Sequence, residues 1–392
     1  MSWRWFVLLH ILAVGIIEGL NPFWPIWLAQ HLATDSWLYA LVLAAIYGLP
    51  ILGTALSVTY WGKFSDAMGA KINWLRSMLA LALAFTFLGW VTSLSALLFT
   101  RAAQGLFGSV MPASQHLAMA LNFKQGLFKL QSATALASIL GPIILGGVVQ
   151  WISFELCLTL AGITIFTFAL LSHWLIELPP QKHQNKNNHQ QTLQLNIPFL
   201  CFSLLPMARW VVVPVLATLT QDLASSPWKL ALVYSALPLG MFVAKDFWLK
   251  REGLKKEGLK REGEKSQAHY YLYCVLGAAL LSALLLFVEH LVFITAIRFM
   301  LGLVLAPLMP WSQLQFLVGE MAKDNNVSKG LLLGRIQRQQ RLGMALGLML
   351  GSALTMLPIM AFGLSAAFYF LSAALFYSLN RHVSPLRSKN LI

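Results

Sequence analysis

Twelve apolar runs of 19 to 26 residues follow one another along this chain, and no other feature restricts its folding so severely. They cover residues 5–28, 38–60, 72–92, 96–118, 131–151, 154–177, 195–219, 228–248, 270–288, 291–316, 333–357 and 360–379. A helix of about 20 apolar residues matches the hydrocarbon thickness of a bilayer. Inside that layer every amide and carbonyl needs an internal partner, so each run must be helical. Composition agrees, with 58% hydrophobic and 11% charged residues, where a soluble protein carries about 25% charged. The expected class is an all-α integral membrane protein with twelve transmembrane helices. Arg4 before the first run resembles the start of a signal peptide. The run is too long for one and holds Glu18, Pro22 and Pro25, so it is expected to be a retained span.

The charges between the runs set the orientation. Alternate loops carry Lys63, Lys71, Arg76, Lys124, Lys129, Lys182, Lys186, Lys323, Lys329 and a basic cluster at 250–265. The opposite loops carry Lys229 beside Asp35, Glu155, Asp222 and Glu289. Basic loops stay in the cytoplasm, so both termini are expected there, in the inner membrane of a cell. The net charge of +14 follows this pattern rather than a nucleic-acid footprint. Tryptophans near run ends fit interfacial belts: Trp3, Trp5, Trp61, Trp74 and Trp174 inside, Trp27, Trp37, Trp151 and Trp228 outside.

Residues 178–194 are rich in Gln, Asn, His and Lys and cannot form a core. They divide the chain into an expected six-helix bundle at 1–177, a cytoplasmic linker, a second bundle at 195–380 and a tail at 381–392. His183 and His189 in the linker lack the cysteines and acids of a metal site. Cys157, Cys201 and Cys274 show no paired spacing, so neither zinc, a disulfide framework nor any other cofactor is expected. Residues 251–265 form three tandem five-residue repeats, each with a glycine. A solvated insertion is favoured over a lipid-headgroup contact there, because glutamates interrupt the lysines and arginines.

The two halves echo each other. Arg101-x-x-x-Gly105-Leu106 with Pro112, Ser114 and Gln115 is matched by Arg298-x-x-x-Gly302-Leu303 with Pro310, Ser312 and Gln313. Tyr47-x-x-Pro50-x-x-Gly53 is matched more loosely by Tyr234-x-x-x-Pro238-x-Gly240. Duplicated bundles of this kind hold their substrate between the halves, near the bilayer midplane.

Between the second and third runs lies Gly62-x-x-x-Asp66-x-x-Gly69-x-Lys71. It resembles the signature loop of the major facilitator superfamily, with Ala67 and Ala70 at positions usually basic in that family. Arg101-x-x-Gln104-Gly105 followed by Ser109 is similar to that family's fourth-span signature. Ala137, Gly141-Pro142 and Gly146-Gly147 resemble the fifth-span signature of its drug:proton antiporter branch, with three intervening residues instead of two. The resemblance implies two pseudo-symmetric six-helix bundles, rocker-type alternating access and proton-driven export of small molecules, siderophore-type exporters included. It also implies that spans one, four, seven and ten line the cavity. From the residues themselves, Gly141, Gly146 and Gly147 permit close backbone approach, and Pro142 should kink the span. Sliding contact and static packing both fit.

Glu18, Arg101, Arg209 and Arg298 lie deep in runs, each roughly 20 Å from the cytoplasmic face at 1.5 Å per residue. Intramembrane ionisable residues face a cavity or one another. A Glu18–Arg101 pair at equal depth is expected, either exchanging protons or statically joining two spans. Three arginines against one glutamate call for an anionic, carboxylate-bearing cargo held by Arg209 and Arg298. Trp24, Trp210 and Trp311 would supply walls, and Asn21 and Gln115 hydrogen bonds. The alternative is that the arginines hold helices together around a broad apolar drug site. His10, His116 and His173 are expected to bond carbonyls. No nucleophile–base pair or nucleotide loop appears, so an intramembrane enzyme acting through Glu18 and a non-transporting sensor or scaffold are the weaker classes, and an importer or uniporter of a small solute is the further alternative among transporters. The chain is expected to act as a monomer on protons and a small solute.

Overall fold

The computed structural model describes residues 2–33, 36–121, 126–177, 197–223, 226–251, 261–308 and 329–389. Trp311, the linker at 178–194 and most of the repeat at 251–265 lie outside the described residues. The described chain is all helical. In order it forms α1 (Ser2–Leu20), α2 (Trp24–Ala29), α3 (Trp37–Met68), α4 (Ala70–Leu88), α5 (Leu94–Phe107), α6 (Val110–Leu121), α7 (Gly126–Val148) and α8 (Phe154–Leu175). There follow α9 (Ile197–Trp210), α10 (Val212–Leu223), α11 (Pro227–Arg251), α12 (Arg261–Leu284), α13 (Leu291–Leu305), α14 (Lys329–Ala353) and α15 (Pro358–Lys389).

Among the described residues, seven helical segments are long and apolar enough to cross a membrane: 2–29, 37–68, 70–88, 129–148, 154–175, 227–244 and 359–377. Shorter apolar helices occupy Ser203–Leu216, Tyr271–Phe287 and Leu291–Leu305. Many large apolar side chains point outward, among them Leu83, Phe99, Ile144, Val292 and Phe293. Water would not tolerate so much exposed apolar surface, and lipid does. Trp37, Trp151, Trp174 and Trp228 lie on that outer surface as expected of a belt. Trp74 does not: it is fully buried and donates to Ser172 at 3.3 Å, so its place in a belt is corrected to a core position.

The helix ends follow from local chemistry. Ser36, Ser93 and Ser153 cap α3, α5 and α8, each side chain accepting an amide from the first turn. A single residue, Gly69, separates α3 from α4. Its φ of 98° lies where side-chain-bearing residues are strained, so only glycine turns the chain this tightly without cost. Lys71 then donates to the His173 carbonyl at 2.8 Å and ties α4 to the end of α8. Gly62 is buried in the last turns of α3, and Asp66 lies on the exposed face beside it.

Three helical breaks coincide with prolines. Pro22 lies within the 3₁₀ turn Asn21–Phe23 between α1 and α2, and Pro25 in the first turn of α2. Pro112 removes the amide that would bond the Gly108 carbonyl, and Val110 N takes its place at 2.8 Å. Pro214 does the same to Trp210, where α9 gives way to α10 at Val211. Pro142 differs: α7 runs unbroken through it.

The packing repeats. In the first half α1 pairs with α7, α3 with α5 and α4 with α8. In the second half α9 pairs with α14, α11 with α13 and α12 with α15, the same three pairings in the same order. Between the halves α3 packs on α14 and α7 on α11, again one relationship used twice. Gly48 faces Met349, and Gly334 lies against the Val58–Thr59 backbone, so the α3–α14 contact extends along most of both helices.

Candidate functional site

The pairing of α3 with α5 brings two glycines together. A Cβ at Gly105 would stand 2.2 Å from the Pro50 carbonyl oxygen, and one at Gly53 would stand 2.9 Å from that of Ala102. In the second half the corresponding clashes are Gly302 on Leu237 at 2.1 Å and Gly240 on Phe299 at 2.1 Å. The echo between halves is thus a shared helix–helix contact. It also sets the arginines. Arg101 Nε donates to the Ile46 carbonyl at 2.8 Å, and Arg298 Nε donates to that of Val233 at 3.0 Å. Each carbonyl precedes a tyrosine that bonds across to the break that follows α1 or α9: Tyr47 to Asn21 O at 2.6 Å, Tyr234 to Val213 O at 2.7 Å.

Two adjoining cavities lie between the halves. The first, of about 100 Å³, is lined by Glu18, Asn21, Trp24, Tyr47, Arg101 and Gln104, with Trp210 and Arg341 from the second half. The second, of about 180 Å³, is lined by Glu18, Gln115, Thr134, Arg209, Gln337 and Arg341 among others. Glu18 is the acidic residue of both linings. It sits on the last turn of α1, where Asn21 Nδ2 donates to its Oε2 at 3.3 Å.

The structure redraws its partners. Arg101 gives Nε to Ile46 and Nη1 to Gln104 at 2.7 Å, and its Cζ lies 4.8 Å from the Trp24 ring. The positive charges acting on Glu18 are those of Arg209 and Arg341, both from the other half. The expected Glu18–Arg101 pair is therefore replaced by a cross-bundle relationship. Equal depth along a span says nothing about which way a side chain turns. Arg209 lines the second cavity, with its Cζ 5.5 Å from the Trp210 ring. Arg298 lines neither, since its Nε is spent on the second half's own backbone.

Arg341 was legible in the sequence by the same criterion as the others, as an arginine inside the run 333–357. Two other arginines near the start of that run mask it as part of a basic loop. Gln115 also has a role that spacing alone does not give. Gln337 Nε2 donates to Gln115 Oε1 at 2.6 Å, a bond between halves on one wall of the second cavity. Trp24 is buried edge-on against Phe154, with centroids 5.0 Å apart.

The motif glycines of α7 differ in what they meet. Gly141 meets Gly15, where a Cβ would stand 2.0 Å from the carbonyl oxygen, and Gly19 presses on Gly141 in turn. Gly146 faces Pro227 and Ala231 of α11, across the halves. Among the described residues Gly147 meets nothing within 4 Å, so the close approach expected of it is not made there. His10 is fully buried, with ring nitrogens 3.0 Å from Ser114 Oγ and 2.9 Å from Thr134 Oγ1. It joins α1, α6 and α7 through hydroxyls rather than the expected carbonyls. Arg76 stacks on Trp61 at 3.4 Å and donates to Asn73 and to the Phe107 carbonyl, fastening α4 to the ends of α3 and α5. No cluster of three metal-ligating side chains occurs among the described residues.

The sequence pattern of the Major Facilitator Superfamily matches residues 6–248. Multidrug resistance protein MdtG of Proteus mirabilis is 23% identical over 374 residues, covering 92% of this chain and 89% of that protein. MdtG of Dickeya zeae is 23% identical over 235 residues, and that match spans 56% of the relative's length. Among solved structures, the human organic anion transporter MFSD10 (TETRAN) is similar in fold, with a TM-score of 0.69 at 14% identity over 96% of this chain and 98% of that one.

Proposed function

The chain belongs to the major facilitator superfamily, and from that premise we propose that it moves a small organic anion out of the cell coupled to protons. It is a multi-pass membrane protein, a transporter of small molecules rather than an enzyme. The proposal adds twelve spans in two six-helix bundles, 1–177 and 195–380, joined by a cytoplasmic linker. Both termini face the cytoplasm of a cell whose inner membrane holds the protein as a monomer.

One observation carries this proposal: Glu18, the one carboxylate among the described residues of the lining, shares the wall of a cavity between bundles with Arg209 and Arg341 of the opposite half. A carboxylate and an anionic cargo compete for the same guanidinium groups. When cargo occupies them, Glu18 is left without positive neighbours and takes a proton, because a bare buried carboxylate is costly. When cargo leaves, the arginines reclaim Glu18 and its proton is released. Anion and proton are therefore bound together and released together, so the competition couples their movement in the same direction across the membrane.

Each cavity is smaller than the roughly 300 Å³ at which small-molecule sites begin. The bundles must therefore part to admit a solute, as alternating access requires. The α3–α14 and α7–α11 contacts are the surfaces along which they would move. Arginine forks suit carboxylates, so a polycarboxylate iron chelator of siderophore type is the favoured cargo. A solved relative in fold is described as an organic anion transporter, which agrees with this choice.

Broad efflux of apolar drugs is the alternative, supported by the multidrug name of the MdtG relatives and by the apolar wall of Trp24, Trp210, Met344 and Leu348. Proteoliposomes loaded with citrate or with the tetraphenylphosphonium cation, with and without an imposed pH gradient, separate the two. Gradient-driven movement of citrate supports the proposal. Movement of the cation alone would replace it with drug efflux, and gradient-independent movement would remove the proton.

A further inference from the structure

Within the fourth apolar run, α6 does not continue the hydrogen-bond ladder of α5. The last carbonyls of α5 go to other helices: Gly105 accepts from Thr54 at 3.2 Å, Leu106 from Trp61 Nε1 at 2.7 Å, and Phe107 from Arg76. Val110 N turns back to the Gly108 carbonyl at 2.8 Å, and Pro112 has no amide to offer. The rotation of α6 about its own axis is therefore set by what its sides touch.

Two successive residues of α6 reach in different directions, about 100° apart on a helix. Ser114 is fully buried inside the first bundle, with its Oγ 3.0 Å from His10 Nδ1. Gln115 reaches the other half, where its Oε1 accepts from Gln337 Nε2 at 2.6 Å. The other nitrogen of His10 lies 2.9 Å from Thr134 Oγ1 of α7, and the rings of Phe6 and Trp74 pack on the imidazole. Both hydroxyls also reach their own helices, Ser114 to the Val110 carbonyl at 2.7 Å and Thr134 to that of Leu130 at 2.9 Å. A neutral imidazole brings one proton and each hydroxyl one, so four contacts share three protons. The two carbonyls already hold a helix amide, whereas a bare ring nitrogen has no other donor. The shortfall falls on a carbonyl, so α1 stays bonded to α6 and α7 whichever nitrogen carries the proton.

We propose that His10 is the positioning residue of the latch between the halves: by holding Ser114 it fixes the rotation of α6 and presents Gln115 to Gln337. A turn of α6 that frees Ser114 carries Gln115 away from its partner. The latch closes one wall of the second cavity, and Thr134, the other anchor of His10, belongs to that same lining. The role holds for any cargo, so it stands apart from the anion reading.

The test uses the full chain in proteoliposomes, with Cys157, Cys201 and Cys274 replaced by alanine and one cysteine in place of Ser138, which lines the second cavity. The readout is the rate at which that thiol is labelled by a maleimide. Ser114→Ala removes one hydroxyl from a helix that tolerates alanine, and a cooperative thermal transition serves as its folding control. Its labelling is expected to be about two- to fivefold faster than the parent's, up to the effect of losing the latch bond itself. His10→Asn, too short to reach Ser114, is expected to do the same. The double variant Ser114→Ala/Gln337→Leu should label no faster than Gln337→Leu alone, because Ser114 acts only through Gln115. Rates that multiply in the double variant overturn the proposal and leave His10 as core packing. An unchanged rate in Ser114→Ala overturns it as well, and so does an unchanged rate in Gln337→Leu, since no latch would then remain to be positioned.

Discussion

Arg101 Nε donates to the carbonyl of Ile46 at 2.8 Å, and Ile46 is the residue whose carbonyl Pro50 leaves without an amide four residues on. A proline inside an apolar helix and a buried arginine on its neighbour each look expensive alone. Together each supplies what the other lacks. Tyr47 does the same for the Asn21 carbonyl, which Pro25 orphans.

This relationship is measurable as a coupling. Arg101→Ala is expected to destabilise the protein by about 3 kcal/mol in thermal unfolding, since the Ile46 carbonyl then stays buried and unpaired. Pro50→Ala restores an amide to that carbonyl. The double variant should recover about 1 kcal/mol relative to the sum of the singles. Strict additivity would show that the two residues are independent.

Glu18→Gln keeps the shape and the Asn21 contact but cannot exchange a proton. Citrate-for-citrate exchange across proteoliposomes should persist, while acceleration by a pH gradient should vanish. Retained acceleration would move the proton to another group.

Gly141 and Gly147 lie six residues apart on α7 and make opposite contacts. Gly141→Ala sets a methyl 2.0 Å from the Gly15 carbonyl oxygen, so α1 and α7 must separate. A loss of about 1–3 kcal/mol is expected from overpacking. Gly147→Ala meets open space and should be neutral or gain up to about 1 kcal/mol in helix propensity. Equal effects at both sites would contradict the packing described.

Gln337 and Gln115 join the bundles across the second cavity. Gln337→Leu removes a hydrogen bond of about 1 kcal/mol, which shifts an open–closed equilibrium roughly fivefold. The readout is thiol labelling of a cysteine replacing Ser138, which lines that cavity. Faster labelling in Gln337→Leu is expected, and an unchanged rate would show that the pair does not restrain opening.

These residues also separate what was readable along the chain from what was not. Apolar length gave the membrane class, because the bilayer leaves helix as the only solution for such runs. Prolines and glycines marked breaks and close contacts, as at Pro112 and Gly105, since both act through their own backbone. The repeated arginine announced two matching halves before any contact was known. Gly147 was misjudged because a glycine shows that approach is possible, not that a neighbour has come.

By itself, then, the sequence determined the solvent of this protein, its helical character, its duplicated plan and the presence of buried charge, all properties of short stretches in a medium of low dielectric. Only the tertiary structure decided that Glu18 shares a cavity wall with Arg209 and Arg341, that Arg101 serves the backbone, and that Gln115 reaches Gln337. Those partners lie on helices far apart in the chain, and the turn of each helix about its own axis, set by packing, chooses among candidates at one depth.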